Sequence, residues 1–168
     1  LLVDLLLLGF DDSDVVRAGA RLEDGYRAGL EFFRDRPEEE RPTAVTCYND
    51  LVAIGLMRAL RELGLHVPRD ISVIGYDDIE MASYTAVPLT TVRVPKEEMG
   101  RRAAEILIRH AEAPDAGRRE RVGLDADLVV RGSTRSLKEA YVESENAEWE
   151  VIKLTSSSEE HELESAER

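Results

Sequence analysis

Asn49-Asp50 and Asp77-Asp78 are the residues of this chain whose types and spacing best suit chemistry at a small polar ligand. Each pair follows a short apolar, β-prone run, Thr43 to Tyr48 in one case and Ile71 to Ile74 in the other. A carboxylate placed after a buried strand can accept hydrogen bonds from two sugar hydroxyls or from a heterocycle N–H, with charge-assisted strength. Asp77 is the leading candidate for that role; bracing a turn is its ordinary alternative. Asn49 can donate and accept, which suits a hydroxyl, and it can equally cap a following helix. Asp50 reads as structural, compensating a helix N-terminus.

The elements that must position these groups are legible around them. Ala53, Leu56, Leu60 and Leu63 fall at helical spacing, and Gly64 suits the helix end. The run Ile71 to Ile74, closed by Gly75, fits a strand buried on both faces. Strand, helix and strand make one βαβ unit. In open parallel sheets ligands bind outside the carboxyl ends of the strands, the edge that Asn49, Asp50, Asp77 and Asp78 would share.

Further along the chain, Asp11 to Asp14 reads as a polar turn and Val15 to Gly19 as a short strand. Leu22, Tyr26, Leu30 and Phe33 define an amphipathic helix over about Leu22 to Arg34. Ile79 to Tyr84 suits a short helix or turn, and Val87 to Val94 an extended segment. Pro95 opens another helix in the favoured first-turn position, with Met99, Ala103, Ile106 and Leu107 on one face. A charged loop spans Ala113 to Arg121, and Leu124 to Val130 forms a final strand.

Composition narrows the classes. With 168 residues, 43% of them hydrophobic, the chain can bury one core. Its net charge of −13 argues against a nucleic-acid surface. Ten glutamates face three basic residues between Leu137 and Arg168, so that stretch carries −7 and leaves about −6 for the remainder. Ser156-Ser157-Ser158-Glu159-Glu160 suits a solvated, flexible tail, with a docked strand at Trp149 to Leu154 as the rival. The single cysteine, Cys47, reads as a small buried side chain. One cysteine is compatible with the cytosol.

Leu1 to Leu8 lacks a basic flank and a cleavage pattern and includes Asp4, so it reads as the end of a buried helix or strand. It is too short to span a bilayer. The missing initial Met points to a fragment. His66, His110 and His161 lack ligand spacing, so no metal is expected. Neither a phosphate loop nor a nucleophile elbow occurs. No catalytic constellation and no cofactor are expected.

The order of short motifs is more specific than the fold. Arg41-Pro42-Thr43-Ala44-Val45, Asn49-Asp50 with Ala53 and Gly55, Val67 to Asp78, and Pro88-Leu89-Thr90-Thr91-Val92 occur in sequence. Gly25-Tyr26-Arg27-Ala28-Gly29 precedes them and Met99-Gly100-Arg101-Arg102-Ala103-Ala104 follows. Over roughly Val15 to Thr134 the chain resembles the effector-binding core of the lactose-repressor (LacI/GalR) class of bacterial transcription regulators.

That resemblance implies an α/β fold of the type I periplasmic-binding-protein-like kind: a parallel sheet flanked by helices in a partial two-lobe core. Residues 1–136 would form the partial sensor domain and 137–168 the acidic tail. Val15 to Pro88 resembles the second lobe; the helix from Pro95 to His110 resembles one that returns to the first lobe, and the last strand one that crosses back. Most of the first lobe and the helix-turn-helix headpiece are absent. The Met99, Ile106 and Leu107 face would then lack its usual partner.

Resembling proteins use the first Asp of the 77–78 pair and often the matching Asn at 49 to touch effector. Asp78 reads as a turn or interlobe contact. Arg21 stands where resembling proteins often place a stacking aromatic; its planar fork suits a carboxylate or phosphate instead, with surface exposure as the alternative. Met57, Arg58 and Met81 to Tyr84 map to surfaces used for dimerisation. Leu56 joins Met57, Met81 and Tyr84 in the candidate interface, because the helix with Ile54, Leu56, Met57 and Leu60 is apolar around much of its circumference; the alternative is that all are core.

The expected function is the ligand-sensing and dimerisation core of a cytoplasmic LacI-type regulator. It would bind a sugar or related metabolite between two lobes and control DNA binding allosterically, through a headpiece outside this chain, with no membrane role. A sugar-binding protein of a transport system, a truncated copy acting as an interaction module, and an enzyme on the same topology are the alternatives. The last would need a convergent nucleophile and base.

Overall fold

Four short strands in one sheet organise the described part of the molecule. The computed structural model describes residues 15–112 and 120–136. Apart from Ser136 these belong to the first of two units, Leu1–Arg135, the second being Ser136–Arg168. The expectations for Leu1 to Leu8, for the turn at Asp11 to Asp14, for most of the Ala113 to Arg121 loop and for the acidic tail lie outside the described residues.

Strands β1 (Ala44–Thr46), β2 (Ser72–Tyr76), β3 (Thr90–Arg93) and β4 (Asp127–Val129) form one sheet in that spatial order. β1, β2 and β3 are parallel, with Val45 opposite Val73 and Gly75 opposite Thr91. β4 runs antiparallel to β3, with Val92 opposite Leu128. Parallel neighbours need long crossovers. Here α2 (Asp50–Glu62) supplies the first and the short α3 (Met81–Tyr84) lies in the second.

The expected helical face of α2 packs as its spacing requires. Ala53, Leu56 and Leu60 join Ile71, Val73 and Leu89 in the core, together with Phe33 of α1 (Leu22–Phe33). Leu60, Ile71 and Leu89 are fully buried, and each contributes about 1.5–3 kcal/mol by leaving water. α1 and α2 approach closely through glycine. A Cβ on Gly25 would lie 2.1 Å from the Val52 carbonyl oxygen, and one on Gly55 would lie 2.0 Å from that of Leu22. Gly64 ends the α2 region with φ +76°, a conformation that costs a side chain.

The segment after β4 closes the other side. Ser133, fully buried, receives the Thr90 amide on Oγ at 2.8 Å and donates that hydroxyl to the Val73 carbonyl at 2.6 Å. Its own carbonyl accepts from the Val73 amide at 2.8 Å. One serine thus satisfies backbone groups of two strands that would otherwise be unpaired inside the protein.

Helix α4 (Lys96–Glu112) begins one residue after Pro95, whose carbonyl accepts from the Met99 amide at 2.9 Å. No residue of α4 is buried; Met99 is 48% exposed and Leu107 70%. Within the helix, Glu98 pairs with Arg101 and Arg102, and Arg101 pairs with Glu105. Such pairs add only about 0.3–0.5 kcal/mol each.

Two expectations change. Val15 to Gly19 forms no strand: Val15 and Val16 are exposed, and among the described residues no strand pairs with the segment. The final strand shrinks to Asp127–Val129, with Leu128 and Val130 exposed on the sheet edge.

Candidate functional site

The carboxyl ends of β1 and β2 carry the predicted polar residues, and each is held differently. Asn49 caps α2: its Oδ1 accepts from the Val52 amide at 2.8 Å. Its Nδ2 donates to the Ala20 carbonyl at 3.0 Å, which ties the segment before α1 to the sheet edge. Both ends of the amide are therefore engaged.

Asp50 is fully buried and structural, though its bonds leave its own helix. Its carboxylate accepts from the Thr91 hydroxyl at 2.5 Å and from the Ile79 amide at 2.8 Å. Space for the carboxylate comes from β2, where a Cβ on Gly75 would sit 2.2 Å from Asp50 Oδ1.

Asp77 and Asp78 both adopt positive φ, +106° and +49°. Non-glycine residues rarely do so, although Asp tolerates it better than most, and such strain concentrates at functional sites. Asp78 is a brace. Arg93 Nε donates to it at 2.7 Å and Arg131 Nη2 at 2.6 Å, with the Asp78 side chain only 10% exposed. Burial pushes its carboxyl up, but the Arg131 and Arg93 guanidiniums outweigh that and hold it below the usual carboxylate range. Arg131 also donates to the Leu89 carbonyl at 2.8 Å, so Asp78 joins β3 to the chain beyond β4.

The Asp77 backbone is fixed as firmly: its amide donates to the Val92 carbonyl at 2.9 Å and its carbonyl accepts from Lys96 Nζ at 2.5 Å. Its carboxylate has no hydrogen-bond or ionic partner among the described residues. Asp77 lines an open groove of about 620 Å³ together with Asp78, Arg93, Lys96 and Arg101. The groove is open to solvent and is bordered by charged donors and acceptors.

Arg21 does not line that groove, and neither does Asn49. Arg21 is exposed and precedes α1, with its amide donating to Asp24 Oδ2 at 3.0 Å. Of the candidate interface residues, Leu56 is corrected: it is 6% exposed and belongs to the core, against Gly29 of α1. Met57 is half-buried, Met81 is 50% exposed and Tyr84 79%. Thr91, Lys96, Arg93 and Arg131 were missed as parts of the site. Lys96 directly follows the helix-opening proline and was within reach of local reading; Arg131 lies 53 residues from Asp78, with no local signal.

Cys47 packs against the core, and its thiol is pushed up to about 12, by burial first and then by the Asp50 carboxylate. A thiol held protonated is a poor nucleophile. Among the described residues no cluster of His, Cys, Asp and Glu could hold a metal ion, and no helix is long and apolar enough to cross a membrane.

A parallel sheet with helices and a polar groove at its carboxyl edge is the architecture of periplasmic-binding-protein-like domains. Residues 8–134 match that family, the periplasmic binding protein-like domain, and the chain belongs to it. Its relatives narrow the likeness to the effector-binding core of LacI-type regulators. It is 48% identical over 105 residues to the arabinose metabolism transcriptional repressor of Geobacillus stearothermophilus, covering 62% of this chain and 29% of that protein. It is 39% identical over 132 residues to the HTH-type transcriptional repressor PurR of Haemophilus influenzae (strain PittEE), covering 77% of this chain and 38% of the repressor. Among solved structures it resembles a LacI-family regulator from Enterococcus faecalis V583 with bound ribose, at 32% identity and TM-score 0.62, over 71% of this chain and 42% of that one. A LacI-family regulator from Arthrobacter in complex with lactose gives 32% identity and TM-score 0.60, over 70% and 43%. The chain thus spans about three tenths of the length of the first of these repressors.

Proposed function

We propose that this chain is the ligand-sensing and dimerisation core of a LacI-type transcriptional regulator. It binds a small sugar-like metabolite at the carboxyl edge of the sheet, between this lobe and a second one, and acts in the cytoplasm. The observation that carries this reading is Asp77: a carboxylate without partner among the described residues, on a strained turn whose backbone is tied down, facing no competitor for its hydrogen bonds. Likeness to regulators solved with ribose and lactose supports a polyol as ligand.

In this reading Asp77 accepts from two ligand hydroxyls, with Lys96 and Arg101 of the same groove available to an anionic substituent. Ligand binding favours one angle between the lobes, by no more than its differential affinity for the two states. Met57, Met81 and Tyr84 contribute to a homodimer that carries the change to DNA-reading parts of the regulator. Likeness to transcriptional repressors supports sensing rather than turnover.

Thermal unfolding with ribose, glucose, lactose and nucleosides tests this. A saturable rise in melting temperature with one of these supports a sensor; a flat response to all, with the fold intact, removes the polyol reading.

A further inference from the structure

We infer that Asp50 is a positioning residue for the ligand turn, acting through Thr91, and that it holds Asp77 in its strained conformation. Three successive amides of the turn are anchored on one side. Asp77 N–H donates to the Val92 carbonyl at 2.9 Å, Asp78 N–H to Thr91 Oγ1 at 3.4 Å, and Ile79 N–H to Asp50 Oδ2 at 2.8 Å. Thr91 then donates its own hydrogen to Asp50 Oδ1 at 2.5 Å. The relay runs from the Asp78 amide through the Thr91 hydroxyl to the Asp50 carboxylate, and the second carboxylate oxygen takes the next amide.

Each component depends on the others. Asp50, at the start of α2, is fully buried, and among the described residues its oxygens accept from two neutral donors, the Thr91 hydroxyl of β3 and the Ile79 amide. Side-chain volume at position 75 would occupy the carboxylate's place, since a Cβ there falls 2.2 Å from Oδ1. Thr91 is fully buried and lies opposite Gly75 across the β2–β3 ladder. Positive φ at both residue 77 and residue 78 is unfavourable by itself; amides fixed before, within and after the pair keep the chain there. Asp50 and Thr91 do not line the groove. They act by fixing where the Asp77 carboxylate stands.

The inference rests on the reading that Asp77 meets the ligand, but its test does not. Amide hydrogen exchange is measured by NMR on the full chain and on Thr91→Val, Thr91→Ser and Asp50→Asn. The Leu60 and Val73 amides, in α2 and β2, report general stability. Thr91→Val is expected to speed exchange at Asp78 and Ile79 at least tenfold beyond any change at those reporters, and Thr91→Ser is expected to restore protection. Equal acceleration at turn and reporters, or failure of serine to rescue, overturns the positioning role. If Asp50→Asn does not fold, the threonine pair still decides. Titration with ribose is a separate arm: weakened binding in Thr91→Val with rescue by serine extends the role to affinity. Absence of ribose binding in the unmodified chain counts against the ribose reading alone, because the exchange result stands independently.

Discussion

Arg131 Nη2 meets Asp78 Oδ1 at 2.6 Å, with the two side chains only 18% and 10% exposed, and this ion pair joins the ligand turn to the segment beyond β4. Removing one member leaves the other charged and largely out of water. Arg131→Ala is therefore expected to lower unfolding free energy by about 2 kcal/mol, below the ~3–5 kcal/mol of a fully buried pair because Arg93 still serves Asp78. Urea denaturation checks this; a loss under about 0.5 kcal/mol would show the pair to be ornamental.

The same pair sets a pH dependence. Asp78 titrates below its ordinary value of 3.8 in the folded state, so its contribution is present above that value and is lost as pH falls through the depressed one. Asp78→Asn removes this linkage. Urea midpoints at pH 6 and below pH 4 should converge between the unmodified chain and Asp78→Asn as acid is added. A difference that stays constant over that range contradicts the assignment.

Two glycines on helices should respond in opposite directions to alanine. At Gly55 the new methyl meets the Leu22 backbone carbonyl at 2.0 Å, so Gly55→Ala is expected to cost about 3 kcal/mol or prevent folding. At Gly100, within exposed α4, no atom of the described residues outside the helix's own backbone lies within 4 Å. Gly100→Ala should stabilise the chain by about 0.5–1 kcal/mol through helix propensity. Thermal melts of both variants suffice to check the pair.

Legibility in the sequence followed the range of the interactions. Local signals located the first parallel crossover, the Asn49 cap and the end at Gly64, because helical spacing and capping act within a few residues. The groups that meet across the sheet were not legible in that way. Thr91 and Arg131 find Asp50 and Asp78 only once β3 and the chain after β4 are in place. Val15 to Gly19 has a strand-like composition, but a strand requires a neighbour. Leu56 and Met57 are adjacent in sequence, yet one faces α1 and the core while the other is half-buried, a difference set by helix packing that apolarity alone cannot assign.

If Met81 and Tyr84 form part of a dimer surface, charge there should separate subunits without unfolding them. Met81→Asp with Tyr84→Asp is expected to shift sedimentation equilibrium toward monomer while changing the melting temperature little, since both side chains are exposed. Leu56→Ala should instead destabilise by about 2–5 kcal/mol, as core truncations do. A double variant that sediments as the unmodified chain does would remove α3 from the interface.

Cys47 offers a check on its surroundings. With its thiol at about 12, alkylation by iodoacetamide at pH 7.5 should be at least tenfold slower in the folded chain than in urea. Cys47→Ala should leave any ligand-induced stabilisation intact. Rapid labelling of the folded protein would contradict the burial argument.

The central claim is that the Asp77 carboxylate, on its fixed turn, receives a polyol. It is tested most directly by titrating the chain with ribose in two-dimensional 1H–15N NMR, beside Asp77→Ala. Saturable shifts at the Asp77, Asp78 and Lys96 amides are expected, lost in the alanine variant while its remaining spectrum stays folded. Saturable binding that persists in Asp77→Ala, or shifts confined to residues away from this turn, would contradict it.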